Sequence, residues 1–168
     1  MALHATRRRK YPNGRVDPND SCRYPQQQTQ TVLDDAMPST VSLCGAATVL
    51  VVQDVLRSVE HYRDVLGFHT EFTYGQPTFY AGVERDGVVI HLQAASETKR
   101  QPGHGAVNVF VTDVDALYQE LKSRGARTLN EPKDYPYGMR DFDIHDLDGN
   151  QLCFGMESTQ PPAAPPEP

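Results

Sequence analysis

Two residues of the chain, His91 and Cys153, carry side chains that could bind a metal or attack a substrate, and they occupy matching positions. Each is the fourth residue after the glycine of an Asp-Gly turn, Gly87 for the first and Gly149 for the second. Imidazole and thiolate are ligands that suit zinc, but two protein ligands fall short of the usual three or four. No sequence feature indicates the lowered pKa that a nucleophilic cysteine requires. The sequence therefore favours inert packing for Cys153 and a satisfied, half-buried histidine for His91.

A second stretch with chemical potential is YPYGMRDF, residues 135–142. Its tyrosine rings could stack on a flat ligand, and Arg140 could pair with a carboxylate or phosphate. In the alternative interpretation Phe142 belongs to the core and Arg140 pairs with Asp141 or Asp143. The sequence leaves both interpretations open.

The elements that must position these residues begin with AATVLVV, residues 46–52, which is rich in β-branched residues and predicts a strand. Asp54 is placed to cap the helix that follows, and Gly67 is placed to end it. Three further strands are predicted up to residue 94, the last two joined by the hairpin turn Arg85-Asp86-Gly87.

The same order of elements begins again at AVNVFV, residues 106–111. Each half predicts a strand, a helix and three strands, which makes an α+β fold of two βαβββ modules at about 45–96 and 104–157. One face of each sheet is covered by its helix, so the modules must pair around a cleft between curved mixed sheets, where a ligand would bind. The matching pairs are Asp54 with Asp113, Gly67 with Gly125, and Asp86-Gly87 with Asp148-Gly149.

Alternation along the last strand predicts which residues face this cleft. Leu152 and Phe154 are the better core pair, so Cys153 should point the other way, and His91 should do so in the first module. Ala47 and Ala106, each seven residues before a helix-capping aspartate, are the matching positions on the first strands.

Composition narrows the function classes. The chain has 168 residues, a formal net charge of −6 and three cysteines. An acidic balance does not favour nucleic acid as a partner, and no apolar run is long enough for a membrane helix. An odd cysteine count without close pairing predicts a reduced, cytoplasmic protein. Residues 1–44 carry a net +2 and the remainder −8; we interpret 1–44 as an extended or disordered tail, 45–157 as the domain, and 158–168 as a Pro-rich tail.

Three segments resemble the vicinal oxygen chelate superfamily, which includes glyoxalases, bleomycin-resistance proteins and extradiol dioxygenases. They are VVQDVLRSVEHYRDVLGF, VTDVDALYQELKSRGA and YGMRDFDIHDLDGNQLCFG. The last is similar to the closing pattern of the superfamily, with its Asp-x-Asp-Gly-Asn turn and final strand. The resemblance spans about residues 46–157 and leaves the tails out.

The resemblance implies where a catalytic member would hold a divalent metal, namely at Ala47, His91, Ala106 and Cys153. Alanine has no donor atom, so the sequence predicts that no metal cofactor is bound and that the chain resembles the metal-free, bleomycin-resistance-like members. Those members imply a homodimer that binds and sequesters a drug-like small molecule, and a role in antibiotic resistance. The acids Glu84, Glu97, Asp134, Asp141 and Asp143 could attract a cationic ligand, although a solvated acidic surface is favoured for most of them.

Two alternatives stand beside this metal-free binding protein. One is a divergent enzyme, a glyoxalase-type lyase or dioxygenase, with a metal on His91 and Cys153. The other is a non-catalytic dimerisation or regulatory domain. For the favoured interpretation no catalytic residue is predicted, and the predicted ligand-binding residues of the cleft are Ala47, Val49, Phe79, His91, Ala106, Asn108, Tyr137, Met139, Arg140 and Cys153.

Overall fold

The computed structural model describes residues 45–159. The predicted tail at 1–44 and all but the first two residues of the predicted tail at 158–168 lie outside these residues. The first module consists of strand β1 (Thr48–Val52), helix α1 (Val55–Asp64) and strands β2 (His69–Tyr74), β3 (Tyr80–Arg85) and β4 (Val88–Ala94). The second consists of β5 (Ala106–Phe110), α2 (Val114–Ser123), β6 (Arg127–Thr128), β7 (Lys133–Asp134), β8 (Met139–His145) and β9 (Gln151–Glu157).

Both helices begin at the predicted aspartates. The Asp54 carboxylate accepts a hydrogen bond from the Arg57 amide at 3.1 Å, and Asp113 accepts one from the Ala116 amide at 2.9 Å. These bonds satisfy amides that the first turn of a helix leaves without a partner. The capping predictions are therefore confirmed.

Each module forms one mixed sheet. The strand order is β1-β4-β3-β2 in the first sheet and β5-β9-β8-β6 in the second, where β7 also pairs with β8. The second module therefore has two short strands where the sequence predicted a single one. Pro132 lies between them and Pro136 follows them; since proline has no amide to donate, neither strand extends far.

The core lies on the helix side of both sheets. Helix α1 packs on β2, β3 and β4, and helix α2 packs on β8 and β9. One continuous cluster of buried apolar residues joins the modules, from Leu50 and Val52 in the first to Leu152 and Phe154 in the second. The opposite face of each sheet, which we call its open face, is covered by neither of the two α-helices of residues 45–159. The predicted α+β fold is thus confirmed.

No helix among residues 45–159 is long and apolar enough to cross a bilayer.

The β8–β9 turn joins the second module to the first. The Asp148 carboxylate accepts hydrogen bonds from the Gln53 amide at 2.8 Å and from the Ser58 hydroxyl at 3.0 Å. The Tyr62 hydroxyl donates to Asp146 at 3.1 Å. Ser58 and Tyr62 are fully buried on α1, so the turn is hydrogen-bonded to the buried face of that helix.

Asn150 completes the same contact. Its side-chain amide donates to the Val51 carbonyl at 3.0 Å and to Asp146 at 2.9 Å, while its carbonyl oxygen accepts from the Gly105 amide at 3.0 Å. Asn150 is fully buried. We call the set formed by Asp146, Asp148 and Asn150 against β1 and α1 the aspartate contact.

A second contact between the modules involves the β3–β4 turn. Arg85 donates to the Leu66 carbonyl at 2.7 Å and to the Glu120 carboxylate of α2 at 2.8 Å. Arg124 lies 3.3 Å from the other oxygen of Glu120. We call this set the arginine contact. Each module thus places its last hairpin turn against the helix of the other.

Candidate functional site

The open face of the first sheet carries an aromatic cluster around His91. The Tyr80 hydroxyl lies 3.1 Å from His91 Nδ1, within hydrogen-bonding distance. The Phe72 ring meets the His91 ring edge-on, with centroids 5.5 Å apart, and stacks on Tyr80 at 6.3 Å. Phe72 lies directly over Gly82, where a Cβ would come within 2.4 Å of its ring, so only glycine fits beneath it. Phe72 is still 40% exposed, which leaves an apolar surface for a ligand.

The first strand supplies no metal donor to this face. Val49, rather than Ala47, pairs with His91 across β1 and β4, and Ala47 lies exposed just before β1. The Val49 carbonyl accepts a hydrogen bond at 3.0 Å from Arg100, which also binds the Gln93 side chain at 2.9 Å. The loop between the modules therefore covers the free edge of β1.

Phe79 is a correction to the sequence prediction. It packs against the buried core cluster and meets Tyr74 edge-on. Its neighbour Tyr80 contacts His91 on the open face. Since adjacent residues of a strand point to opposite faces, only one of the pair could lie there. The sequence analysis assigned Phe79 to the cleft, and the structure places its neighbour Tyr80 there instead.

Cys153 lies on the open face of the second sheet, partly buried and paired with Asn108 on β5 and Asp143 on β8. Burial, together with the negative charges of Asp143 and Asp141, raises the pKa of the Cys153 thiol to about 12. At neutral pH the group is therefore a protonated thiol, and both metal binding and nucleophilic attack require the thiolate. Asn108 and Ala106 are exposed at the edge of this face.

Two carboxylates stand beside Cys153. Asp141 is buried and accepts a hydrogen bond from the Tyr137 hydroxyl at 2.8 Å. Asp143 accepts bonds from the side-chain amides of Asn130 at 3.0 Å and Gln151 at 2.9 Å. All three donors are neutral. The ion pairs formed within residues 45–159 include neither carboxylate.

Tyrosine rings border these carboxylates. Tyr135 and Tyr137 stack with centroids 5.0 Å apart and planes 15° from parallel, and Tyr137 remains 65% exposed. Desolvation and the hydrogen bond to Asp141 raise the pKa of Tyr137 above its ordinary value, so its hydroxyl remains a donor. Met139 is partly buried at the start of β8, on the same side of the strand as Asp141.

Arg140 is the second correction. It points to the helix side of β8, where it binds both oxygens of Asp115 on α2 at 2.7 and 2.9 Å and Asp134 at 3.0 Å. The sequence assigned it to the cleft or to a pair with Asp141 or Asp143. Strand alternation places those two aspartates on the other face, so Arg140 anchors α2 and contacts no open-face group.

The positions where the superfamily places a divalent metal do not fit one in this chain. Ala47 and Ala106 have no donor atoms, and the ring nitrogen Nδ1 of His91 faces the Tyr80 hydroxyl. Among residues 45–159, no three His, Cys, Asp or Glu side chains come together in an arrangement that could hold a metal ion.

The residues that sequence reasoning undervalued are Asp141 and Asp143. Their signal was present, because two carboxylates at i and i+2 of a strand must share one face. Phe142 between them is fully buried in the core, so both acids point to the open face.

Comparison with solved structures places the fold among known proteins. A member of the glyoxalase/bleomycin resistance protein/dioxygenase superfamily from Sphaerobacter thermophilus has 25% identity and a TM-score of 0.62, over 69% of this chain and 98% of that one. The bleomycin-binding protein of Streptomyces verticillus, solved with copper(II)-bleomycin, has 29% identity and a TM-score of 0.59, over 70% and 99%. TioX from Micromonospora sp. ML1, at 24% identity and a TM-score of 0.58 over 68% and 100%, shares the fold.

No curated protein matches the sequence. The family comparison does find a match, and it covers residues 46–154, which include nearly all of both modules and all ten predicted cleft residues. With the paired βαβββ modules and the Asp-x-Asp-Gly-Asn turn that joins them, this match establishes that the chain belongs to the glyoxalase/bleomycin resistance protein/dioxygenase superfamily.

Proposed function

We propose that the protein binds a flat, cationic small molecule on the open faces of its sheets, without a metal and without making or breaking a bond. Its role would be to sequester or carry the ligand. The observation that carries this proposal is the pair Asp141 and Asp143, whose hydrogen-bond donors are all neutral.

A carboxylate as buried as Asp141, which is 6% exposed, is costly to keep without a counter-charge. A ligand cation placed between the two aspartates would supply that charge. The exposed ring of Tyr137 beside them would stack on a planar ligand. A cationic planar molecule would therefore contact the two carboxylates and the tyrosine ring at the same time.

The aromatic cluster of Phe72, Tyr80 and His91 belongs to the first sheet, whereas the aspartates belong to the second. In a homodimer, the aromatic cluster of one protomer could lie opposite the aspartates of its partner and so complete the cleft. The bleomycin-binding relative binds copper(II)-bleomycin, a bulky ligand, and a drug-resistance role for the present chain would follow if it sequesters a comparable molecule.

Calorimetric titration of the full chain tests the proposal, with metal-free bleomycin, copper(II)-bleomycin and the flat cation proflavine as probes. We expect at least one probe to bind, and we expect the affinity of metal-free bleomycin or proflavine to be unchanged in the presence of a chelator. Asp143→Asn should weaken binding about tenfold or more, because a hydrogen bond to a charged group is worth about 1.5–3 kcal/mol. The control Glu60→Gln removes an exposed carboxylate from α1 and should change nothing.

Failure of all three probes to bind would overturn the assignment of a cationic ligand. Loss of binding on addition of chelator, or about one metal ion per purified chain, would instead favour the metal-dependent enzyme.

A further inference from the structure

A cavity of about 450 Å³ lies at the arginine contact, on the helix side of the sheets and away from the open faces. Its floor is apolar, and Phe68, Val109 and Phe154 are all members of the buried core cluster. Leu66, Val88 and Leu117 complete the floor. Neither the proposed cleft residues nor Asp141 and Asp143 line this cavity.

The internal repeat explains why the cavity exists. At the aspartate contact, Asp148 enters the equivalent space and binds the Gln53 amide and the Ser58 hydroxyl. Its counterpart in the repeat is Asp86, whose side chain is 83% exposed and lies 3.6 Å from Arg85 of its own turn. The counterpart of Ser58, four residues after the capping aspartate, is Leu117, which offers no hydroxyl. The space that a carboxylate fills in one contact is lined largely by apolar side chains in the other.

The rim of the cavity is acidic. Its lining includes the carboxylates Asp86, Asp113 and Glu120 and the guanidinium of Arg85, and Arg124 lies 3.3 Å from Glu120, so these five groups have a formal balance of −1. Arg85 is already engaged by Glu120 at 2.8 Å and by the Leu66 carbonyl at 2.7 Å. A positive group at the rim would be attracted by the remaining charge, whereas an anion would be repelled.

We propose that this cavity is a second binding site, for a small molecule with an apolar body and a single ammonium group. The apolar body would displace water from the floor, which is the main source of affinity for such a site. The ammonium group would lie at the rim near Asp86 and Asp113. This site is independent of the cleft, and neither proposal requires the other.

Three probes with the same apolar ring and different charges separate the contribution of the apolar body from that of the charge. They are cyclohexylmethylammonium, the neutral cyclohexylmethanol and the anionic cyclohexanecarboxylate. Each is titrated into the full-length, isotope-labelled chain and followed by amide chemical shifts. We expect the ammonium probe to bind most tightly, about tenfold or more above the anion, and to shift the amides of Val88, Val109 and Ala116. These saturated rings lack the aromatic plane that the cleft would recognise.

Variants then locate the site. Ala116→Trp places an indole at the mouth of the cavity from an exposed position on α2, and should abolish binding. The matched control Gln119→Trp, also exposed on α2 but outside the lining, should bind normally. Asp86→Asn should weaken the ammonium probe about threefold, as expected for an exposed charge, and asparagine tolerates the positive φ of 53° at this position.

The proposal fails if no probe binds, if the anion binds as well as the ammonium, or if Ala116→Trp and Gln119→Trp behave alike. Asp143→Asn distinguishes the two sites. If that variant abolishes binding of the ammonium probe, the probe occupies the cleft and the second site is refuted, while the proposed function stands.

Discussion

Two polar contacts between the modules, the aspartate contact and the arginine contact, occupy equivalent places in the repeat but differ in chemistry. In the aspartate contact the polar groups are enclosed, with Asp146 at 3% exposure and Asn150 at 0%. In the arginine contact the side chains of Arg85 and Glu120 are 25% and 35% exposed, and a cavity lies beside them. Buried hydrogen bonds are expensive to break, whereas a partly exposed ion pair is screened by water. The difference indicates that one contact holds the modules together and the other leaves room for a ligand.

Asn150→Ala is the strongest test of this comparison. The substitution removes the side-chain partner of the buried Val51 carbonyl and of the partly buried Gly105 amide. We expect the free energy of unfolding to fall by about 2–4 kcal/mol, because each unsatisfied buried group costs about 1–3 kcal/mol. Urea titration at pH 7 measures the change. Gln151→Ala, at the exposed neighbouring position, is the control; equal losses in the two variants would show that the aspartate contact does not hold the modules.

Arg85→Gln tests the other side of the comparison. It removes the ion pair with Glu120 and weakens the bond to the Leu66 carbonyl. Since Glu120 is about one-third exposed, solvent screening limits the expected loss of unfolding free energy to about 0.5–1 kcal/mol, and added salt should reduce it further.

Arg63→Gln, which breaks an exposed pair with Asp64 on α1, is the control and should show no measurable change. A loss for Arg85→Gln as large as that for Asn150→Ala would remove the distinction between the two contacts.

The repeat, the helix caps and the hairpin turns were all predictable, because each depends on residues a few positions apart. Alternation along β9 also placed Cys153 on the open face. Arg140 was misplaced because its partner Asp115 lies 25 residues earlier, on a helix whose packing the local pattern does not reveal. The choice between Phe79 and Tyr80 failed because alternation gives two solutions, and only the sheet register with His91 decides between them.

The role of the Asp-x-Asp-Gly-Asn turn in joining the two modules could not be predicted from the sequence either, because its partners are also distant in the chain. Asp148 meets the Gln53 amide 95 residues away and the Ser58 hydroxyl 90 residues away. The spacing within the turn predicts only the hairpin, because Gly149 supplies the positive φ that the bend requires. Which module the aspartates would bind depends on how the two halves pack.

His61 lies on α1 at the aspartate contact. Its effect on the pH dependence of stability should be the smallest of those predicted, but its sign tests the nature of the contact directly. Its Nε2 is buried without a partner among residues 45–159. Burial lowers the pKa of His61 from the ordinary 6.5, and the charges of Asp146 and Asp148 offset that shift only in part. Below pH 6.5 the unfolded chain therefore binds a proton more readily than the folded chain, so the contribution of this group to stability is lost as the pH falls.

Urea titrations of the wild type and of His61→Gln between pH 8 and pH 5 check this sign. The wild type should lose stability relative to the variant as the solution becomes acidic, while His104→Gln, in an exposed loop, should follow the wild type. Parallel curves for the wild type and His61→Gln would mean that burial and the carboxylates cancel. A wild type that gains stability in acid would mean that Asp146 and Asp148 attract the imidazolium more strongly than burial excludes it. In that case protonation of His61 would strengthen the aspartate contact through charge attraction. The burial of the contact indicates the opposite, namely that protonation weakens it.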